Sequence, residues 1–82
     1  MYKNKAEDGR NNISGEHIRI LRQKLPGKVS QRMLADLLQI QGLDIDKNAI
    51  QRIETGQRFV TDIEIKAIAR VLHVRYEELL DD

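Results

Sequence analysis

Hydrophobic residues recur along the chain in a spacing that predicts the starts of helices. At four places a hydrophobic residue stands directly before Ser, Asp or Thr, and another hydrophobic residue follows five positions after the first. This is the spacing of a hydrophobic staple, in which the residue before the N-cap packs on the fourth residue of the helix. The four sets are Ile13 and Ser14 with Ile18, Val29 and Ser30 with Leu34, Ile45 and Asp46 with Ile50, and Val60 and Thr61 with Ile65.

Further signals predict where these helices end and add a fifth. Pro26 ends the first helix near Leu25, and Gly42 suits a left-handed C-cap after a second helix that reaches Gln41. Thr61 and Glu64 match a reciprocal capping box. Arg75, a poor capping residue, precedes a short fifth helix. Shared hydrophobic faces support the assignment, and their members are Ile18, Leu21 and Leu25, then Leu34, Leu37 and Leu38, then Ile65, Ile68, Ala69 and Leu72.

The pattern therefore predicts one all-α domain over residues 13–82. The polar residues 1–12 contain no hydrophobic repeat and are predicted to form a flexible N-terminal arm. Eighty-two residues without a cysteine must be stabilised by a single aliphatic core, because no disulfide or thiolate metal site can contribute. No apolar run is long enough to span a bilayer, so we expect a cytoplasmic protein without membrane contact.

The predicted third helix, residues 46–55, has a polar face that could read DNA bases. At about 100° per residue, Ile50 and Ile53 point into the core. Asn and Gln can pair with adenine through two hydrogen bonds, and Arg or Lys with guanine. The alternative is a face that is polar only for solubility. The residues opposite the isoleucines are Asn48, Gln51, Arg52 and Thr55, with Lys47 at the margin.

The distribution of charge along the chain says more about possible binding partners than the net charge does. The net charge is only +1, but residues 1–61 carry eleven basic and seven acidic residues, whereas residues 62–82 carry three basic and six acidic ones. A basic front and an acidic tail suit a protein that presents one end to a polyanion. Ordinary solvated surface charge explains the same distribution equally well.

Five short motifs occur in an order that resembles the Cro/repressor-type, or XRE-like, helix-turn-helix family. They are IRILR at 18–22, SQRMLA at 30–35, AIQRIE at 49–54, ETG at 54–56 and IARVLHV at 68–74. The resemblance covers about residues 13–80. It implies a compact five-helix, lambda-repressor-like domain and a sequence-specific DNA-binding transcriptional regulator, typically a repressor that acts as a dimer on operators with two-fold symmetry.

The same resemblance implies roles for individual residues. Arg22 and Glu54 correspond to a pair that ties the first helix to the third. Two departures from the family pattern are a link between helices 2 and 3 that is about five residues longer, and a loop near Pro26 that is about two residues longer. Either helix 2 extends to Gln41, which Gly42 favours, or the link is a real loop. The implied DNA contacts are Gln31 to the backbone or a base edge, Lys47, Asn48, Gln51 and Arg52 to the major groove, and Arg58 to phosphate.

Other functions find less support. His17 and His73 lie in different helices without an evident acid–base partner, so we expect no enzyme, no cofactor and no metal site. The alternative function is a protein-interaction module of the same fold, antitoxin-like or partner-docking, that uses Tyr76, Leu79 and Leu80 as a contact strip. A homodimer could form mainly on DNA or through an apolar surface of the last two helices.

Overall fold

The computed structural model describes residue 6 and residues 8–81, and in that part of the chain all regular structure is helical. The prediction of an all-α, five-helix domain is confirmed. Four of the helices begin within one or two residues of the N-caps that the staple spacing predicts, and the short fifth follows Arg75 as predicted. The helices are α1 (Gly15–Lys24), α2 (Gln31–Ile40), α3 (Lys47–Glu54), α4 (Asp62–Leu72) and α5 (Tyr76–Leu80).

Aliphatic side chains from all five helices form one core. Helix α3 packs against both α1 and α2, while α4 and α5 pack against each other and against α1. The predicted face of α4 is buried in full, but on α2 the side chain of Leu37 is 39% exposed and Ala35 is buried instead. Leu79 belongs to the core rather than to a contact strip. The most deeply buried hydrophobic residues are Ile18, Leu34, Leu38, Ile50, Ile53, Ile68 and Leu79.

Three of the four predicted N-caps form as the sequence indicates. Ser30 accepts a hydrogen bond from the main-chain N–H of Met33, and Asp46 accepts one from that of Ala49 at 2.8 Å. Thr61 and Glu64 form the reciprocal capping box at the start of α4. These side chains satisfy N–H groups that have no partner within the helix.

The start of α1 differs from the prediction. Ser14 has helical backbone angles and its side chain caps nothing. The capping residue is Asn12, whose Oδ1 accepts the hydrogen bond from the N–H of Gly15, three residues on, at 2.8 Å. Ile13 is 55% exposed and so forms no buried staple. At α5 the Arg75 side chain likewise caps nothing, and the Glu78 carboxylate accepts from the Arg75 N–H instead.

The long link between α2 and α3 is partly helix and partly loop. Gly42 has a φ of +89°, and the N–H of Leu43 donates to the carbonyl of Leu38 in a Schellman motif that closes α2. The following loop is held by buried Ile45, whose carbonyl accepts from Gln39 Nε2. The added residues therefore give an anchored connection. No helix among the described residues is long and apolar enough to cross a membrane.

Candidate nucleic-acid interface

Helix α3 presents a polar face that the rest of the molecule leaves open. Ile50 and Ile53 are each 1% exposed, which confirms the predicted inward direction. On the opposite side, the hydroxyl of Thr55 donates to the main-chain carbonyl oxygens of Gln51 and Arg52. The other side chains there are exposed and make no hydrogen bond or ion pair within residues 8–81. Their donors and acceptors are free for another molecule. This reading face consists of Lys47, Asn48, Gln51 and Arg52.

A buried ion pair fixes the end of α3 to α1. Arg22 Nε donates to Glu54 Oε2 at 2.8 Å, and Arg22 Nη2 donates to Glu54 Oε1 at 3.0 Å. A third donor, Nη1, binds the carbonyl oxygen of Val29. Both side chains are nearly buried, with 11% of Arg22 and 2% of Glu54 exposed. Two parallel hydrogen bonds to a carboxylate define direction as well as distance. The contact that the resemblance implied is confirmed.

The other two residues assigned to DNA contact have partners within the chain. Gln31 Nε2 donates to Glu54 Oε1 at 3.0 Å. Arg58 binds Glu64 through two hydrogen bonds of 2.9 and 2.8 Å, and about a third of its side chain is exposed. The Arg58 hydrogen bond, with support from the N–H of Thr61, outweighs burial and lowers the pKa of Glu64. The same bond raises the pKa of Arg58. The structure thus gathers four of the six residues on one open face.

Comparison with known proteins agrees with this geometry. A family model described as helix-turn-helix matches residues 18–79. The controller protein C.AhdI of a restriction-modification system, from Aeromonas hydrophila, is 31% identical, with a TM-score of 0.64 over 80% of this chain and 86% of that one. The chain belongs to the Cro/repressor-type helix-turn-helix family. It is thereby placed among DNA-binding regulators of transcription.

A second solved structure supports the fold of this helix-turn-helix protein. The P22 c2 repressor, determined in complex with a synthetic operator, has a TM-score of 0.70 and 24% identity, over 85% of this chain and 96% of that one. The comparison with curated proteins found no match. Within the family fold, α2 and α3 are the helices that give the motif its name.

A shallow cleft between the two helices of the motif adds a residue that the sequence analysis missed. Arg32, from the first turn of α2, is exposed and lines this cleft together with Lys47 and Asn48. Asp36 and Asp46 also line it, so the cleft carries both signs of charge. Placing the second helix at 100° per residue, as was done for the third, would have brought Arg32 to this side.

A short segment that precedes α1 binds the end of α3 and the loop that follows it. We call this segment, Arg10, Asn11 and Asn12, the N-terminal clasp. They donate five hydrogen bonds, from the Arg10 guanidinium, the Asn11 N–H and the two side-chain amides. This part of the predicted flexible arm is therefore attached to the domain, while residues 1–5 and 7 lie outside the described residues. The acceptors are the main-chain carbonyl oxygens of Ile53, Glu54, Gly56, Gln57 and Arg58, at 2.7–3.0 Å.

The histidines and acidic residues do not converge on a site. In the described chain no three His, Cys, Asp or Glu side chains are grouped so that they could hold a metal ion. His17 is half-buried on α1, and His73 is the C-cap of α4 with a left-handed φ of 58°.

Proposed function

We propose that this protein is a sequence-specific DNA-binding repressor of transcription, acting in the cytoplasm, that reads the major groove with α3. The reading face carries the proposal, because its four polar side chains are exposed and unengaged on a helix whose opposite side is fully anchored. A rigid helix with open hydrogen-bonding side chains suits the width of the major groove. The family membership and the operator complex of the P22 c2 repressor support the same assignment.

The side chains of the reading face divide by the bases they can recognise. Asn48 and Gln51 each offer a donor and an acceptor, which match the edge of adenine. Lys47 and Arg52 offer donors only, which match the two acceptors of guanine. Each good bidentate contact contributes about 1–3 kcal/mol of discrimination. The proposal therefore places sequence specificity in these four residues.

Gln31 and Arg58 have a supporting part in this proposal. Each keeps at least one N–H that the contacts with Glu54 and Glu64 do not use. Contacts to phosphate position a protein on the duplex but carry no sequence information. We assign Gln31 and Arg58 to that role. Their intramolecular hydrogen bonds would hold them in place before DNA binds.

We further propose that two copies bind one operator. An apolar surface between α4 and α5 is formed by Ile63, Tyr76 and Leu80, which are 72%, 50% and 40% exposed. Asp62 and Lys66 border it with opposite charges, so two copies could pair them across a two-fold axis. Sedimentation of the protein with and without operator tests this. A monomer in both samples would refute it.

Selection of bound duplexes from a random pool, followed by one pair of variants, tests DNA reading. Arg52→Ala should weaken binding to the selected duplex by about 5- to 150-fold, the equivalent of 1–3 kcal/mol, and binding to random duplex far less. The matched control is Arg70→Ala, which removes the same charge from the exposed side of α4 near the end of α2. Equal losses on both duplexes would remove Arg52 from base reading.

The same experiment separates this function from the protein-interaction alternative. A pool from which no duplex is retained, together with a protein that co-purifies tightly, would favour a partner-docking module. Affinity for DNA should also fall steeply with added salt, because binding releases counterions from phosphate. A shallow salt dependence would contradict the proposed phosphate contacts.

A further inference from the structure

Helix α3, which carries the reading face, is too short to be stable without contacts to the rest of the protein. Helix α3 has eight residues, and isolated helices of that length are unstable in water. The last four carbonyl groups of a helix have no partner within it. The orientation of α3 therefore depends on the packing of Ile50 and Ile53 in the core and on the groups that hold its two ends. Asp46 caps the N-terminal end, and the N-terminal clasp together with Arg22 holds the C-terminal end.

Glu54, the last residue of α3, is bound through both its side chain and its main chain. Arg22 binds the carboxylate from α1, and Arg10 Nη2 binds the carbonyl oxygen at 2.8 Å. The two arginines approach from different segments of the chain, so they restrain the helix end in more than one direction. A cation beside the C-terminus of a helix is also favourable for the helix dipole.

Asn12 joins the start of α1 to the end of α3. Its Oδ1 accepts from the N–H of Gly15, while its Nδ2 donates to the carbonyl oxygens of Ile53 at 3.0 Å and Arg58 at 2.7 Å. The side-chain amide of Asn12 thus accepts a hydrogen bond from α1 and donates two to the segment 53–58 at the end of α3. This single group therefore adds a direct link between the two helix ends to the links that the arginines make.

Two glycines allow the clasp to lie directly against the backbone. Gly56 has a φ of +82°, and a Cβ there would lie 2.7 Å from Arg10 Cζ. A Cβ on Gly15 would overlap the carbonyl oxygen of Ile53. Real Cβ atoms do not approach other atoms so closely. A larger residue at position 15 would push α1 and α3 apart, because it would meet a main-chain oxygen. A larger residue at position 56 would instead displace the Arg10 side chain from its present position.

We propose that Arg10, Asn11 and Asn12 are positioning residues for base recognition by α3. The inference rests on the function proposed above. A hydrogen bond weakens steeply when its angle departs from linearity, so a small tilt of α3 would impair bidentate contacts to bases. Contacts of lysine and arginine with the phosphate backbone are less demanding because charge attraction falls gradually with distance. Loss of the clasp should therefore reduce discrimination more than general affinity for DNA.

Asn12→Asp separates the two functions of that side chain. Aspartate keeps the acceptor for the Gly15 N–H and so preserves the cap of α1, but it has no donor for the carbonyls beyond α3. Arg10→Met removes a different clasp donor, the guanidinium that binds the Glu54 carbonyl oxygen, and keeps much of the aliphatic stem. Arg70→Met is the matched control, since it removes the same charge on α4. All measurements are made at a temperature at which far-UV circular dichroism shows every variant folded.

The first readout is the ratio of affinities for the selected and the random duplex. We expect Asn12→Asp and Arg10→Met each to lower this ratio on the order of tenfold, comparable with the loss of one bidentate base contact. The control should leave it unchanged. The added charge of aspartate weakens binding to both duplexes alike and so cancels in the ratio.

The second readout is amide hydrogen exchange, which does not require DNA. The amides of residues 51–55 should exchange faster in both clasp variants, while those of α4 should not. Unchanged exchange in α3, or a wild-type affinity ratio in both variants, would refute the positioning role. If the wild-type protein itself binds both duplexes equally, the proposed function fails and this inference fails with it.

Discussion

Replacing Arg22 by Met tests whether the buried ion pair with Glu54 is needed for folding. The change removes a guanidinium that makes three hydrogen bonds, two to the Glu54 carboxylate and one to the carbonyl of Val29. Methionine fills much of the same space without a donor. The carboxylate, 2% exposed, then keeps Gln31 Nε2 as its remaining hydrogen-bond donor from a side chain.

The expected loss is large relative to the stability of the whole domain. Removing one partner of a buried pair costs about 3–5 kcal/mol, because the other charge is left uncompensated. At about 0.05–0.15 kcal/mol per residue, a chain of 82 residues has a free energy of unfolding of about 4–12 kcal/mol. An exposed ion pair, in contrast, contributes about 0–1 kcal/mol. The size of the loss therefore reports how strongly the site excludes water.

Urea unfolding followed by far-UV circular dichroism measures this loss for Arg22→Met, Glu54→Leu and the double variant. We expect each single change to be severe and the double variant to recover most of the stability, because no unpaired charge remains. The double variant is the control for packing. A single-variant loss below about 1 kcal/mol, as for an exposed pair, would refute the reasoning, as would losses that simply add.

Three other predictions concern the ends of helices. Asp46→Ala should lower the free energy of unfolding by about 1 kcal/mol, since the N–H of Ala49 loses its acceptor, and an unchanged urea midpoint would contradict this. The lowered pKa of Glu64 means that its contribution to stability is present above the unfolded pKa and lost as pH falls through the folded one. Glu64→Gln should therefore be less stable than wild type at pH 7, and the difference should shrink as the solution is acidified below the usual pKa range of a carboxyl group. A difference that persists in acid would exclude this linkage. Gly15→Ala, which favours a helix elsewhere, should here lower the melting temperature because its Cβ meets a carbonyl oxygen of α3, and a higher melting temperature would show that α1 can shift.

Three of the helices, α2, α3 and α4, were predictable because each of their starts combines two local signals within six residues. Capping and staple spacing act over one turn, and the buried pairs Val29 with Leu34 and Ile45 with Ile50 show that both signals agree with the tertiary structure. At Ile13 the agreement fails, since Asn12 takes the capping role and leaves Ile13 at the surface. A local pattern cannot exclude a neighbouring residue that makes a better contact elsewhere.

The open side of α3 was predictable for a similar reason, because the angle between residues on a helix is constant. The partners of Arg58 and of the N-terminal clasp were not. The partner of Arg58 is the Glu64 carboxylate, 6 residues away along the chain, and the clasp binds carbonyl oxygens up to 46 residues away. Which of these groups lie close together is decided by the tertiary fold. Polar residues in 1–12 look alike by composition, whether they are solvated or bound. Arg22 and Glu54 were found only through the family pattern.

All five carbonyl acceptors of the N-terminal clasp belong to the main chain, which is the same whatever side chains residues 53–58 carry. The main-chain groups through which the clasp holds α3 are therefore distinct from the side chains of the reading face. Lys47, Asn48, Gln51 and Arg52 can be exchanged for other residues without disturbing what holds their helix in place. If α3 reads bases as proposed, such a division would let new target preferences arise by a few substitutions on an otherwise unaltered scaffold.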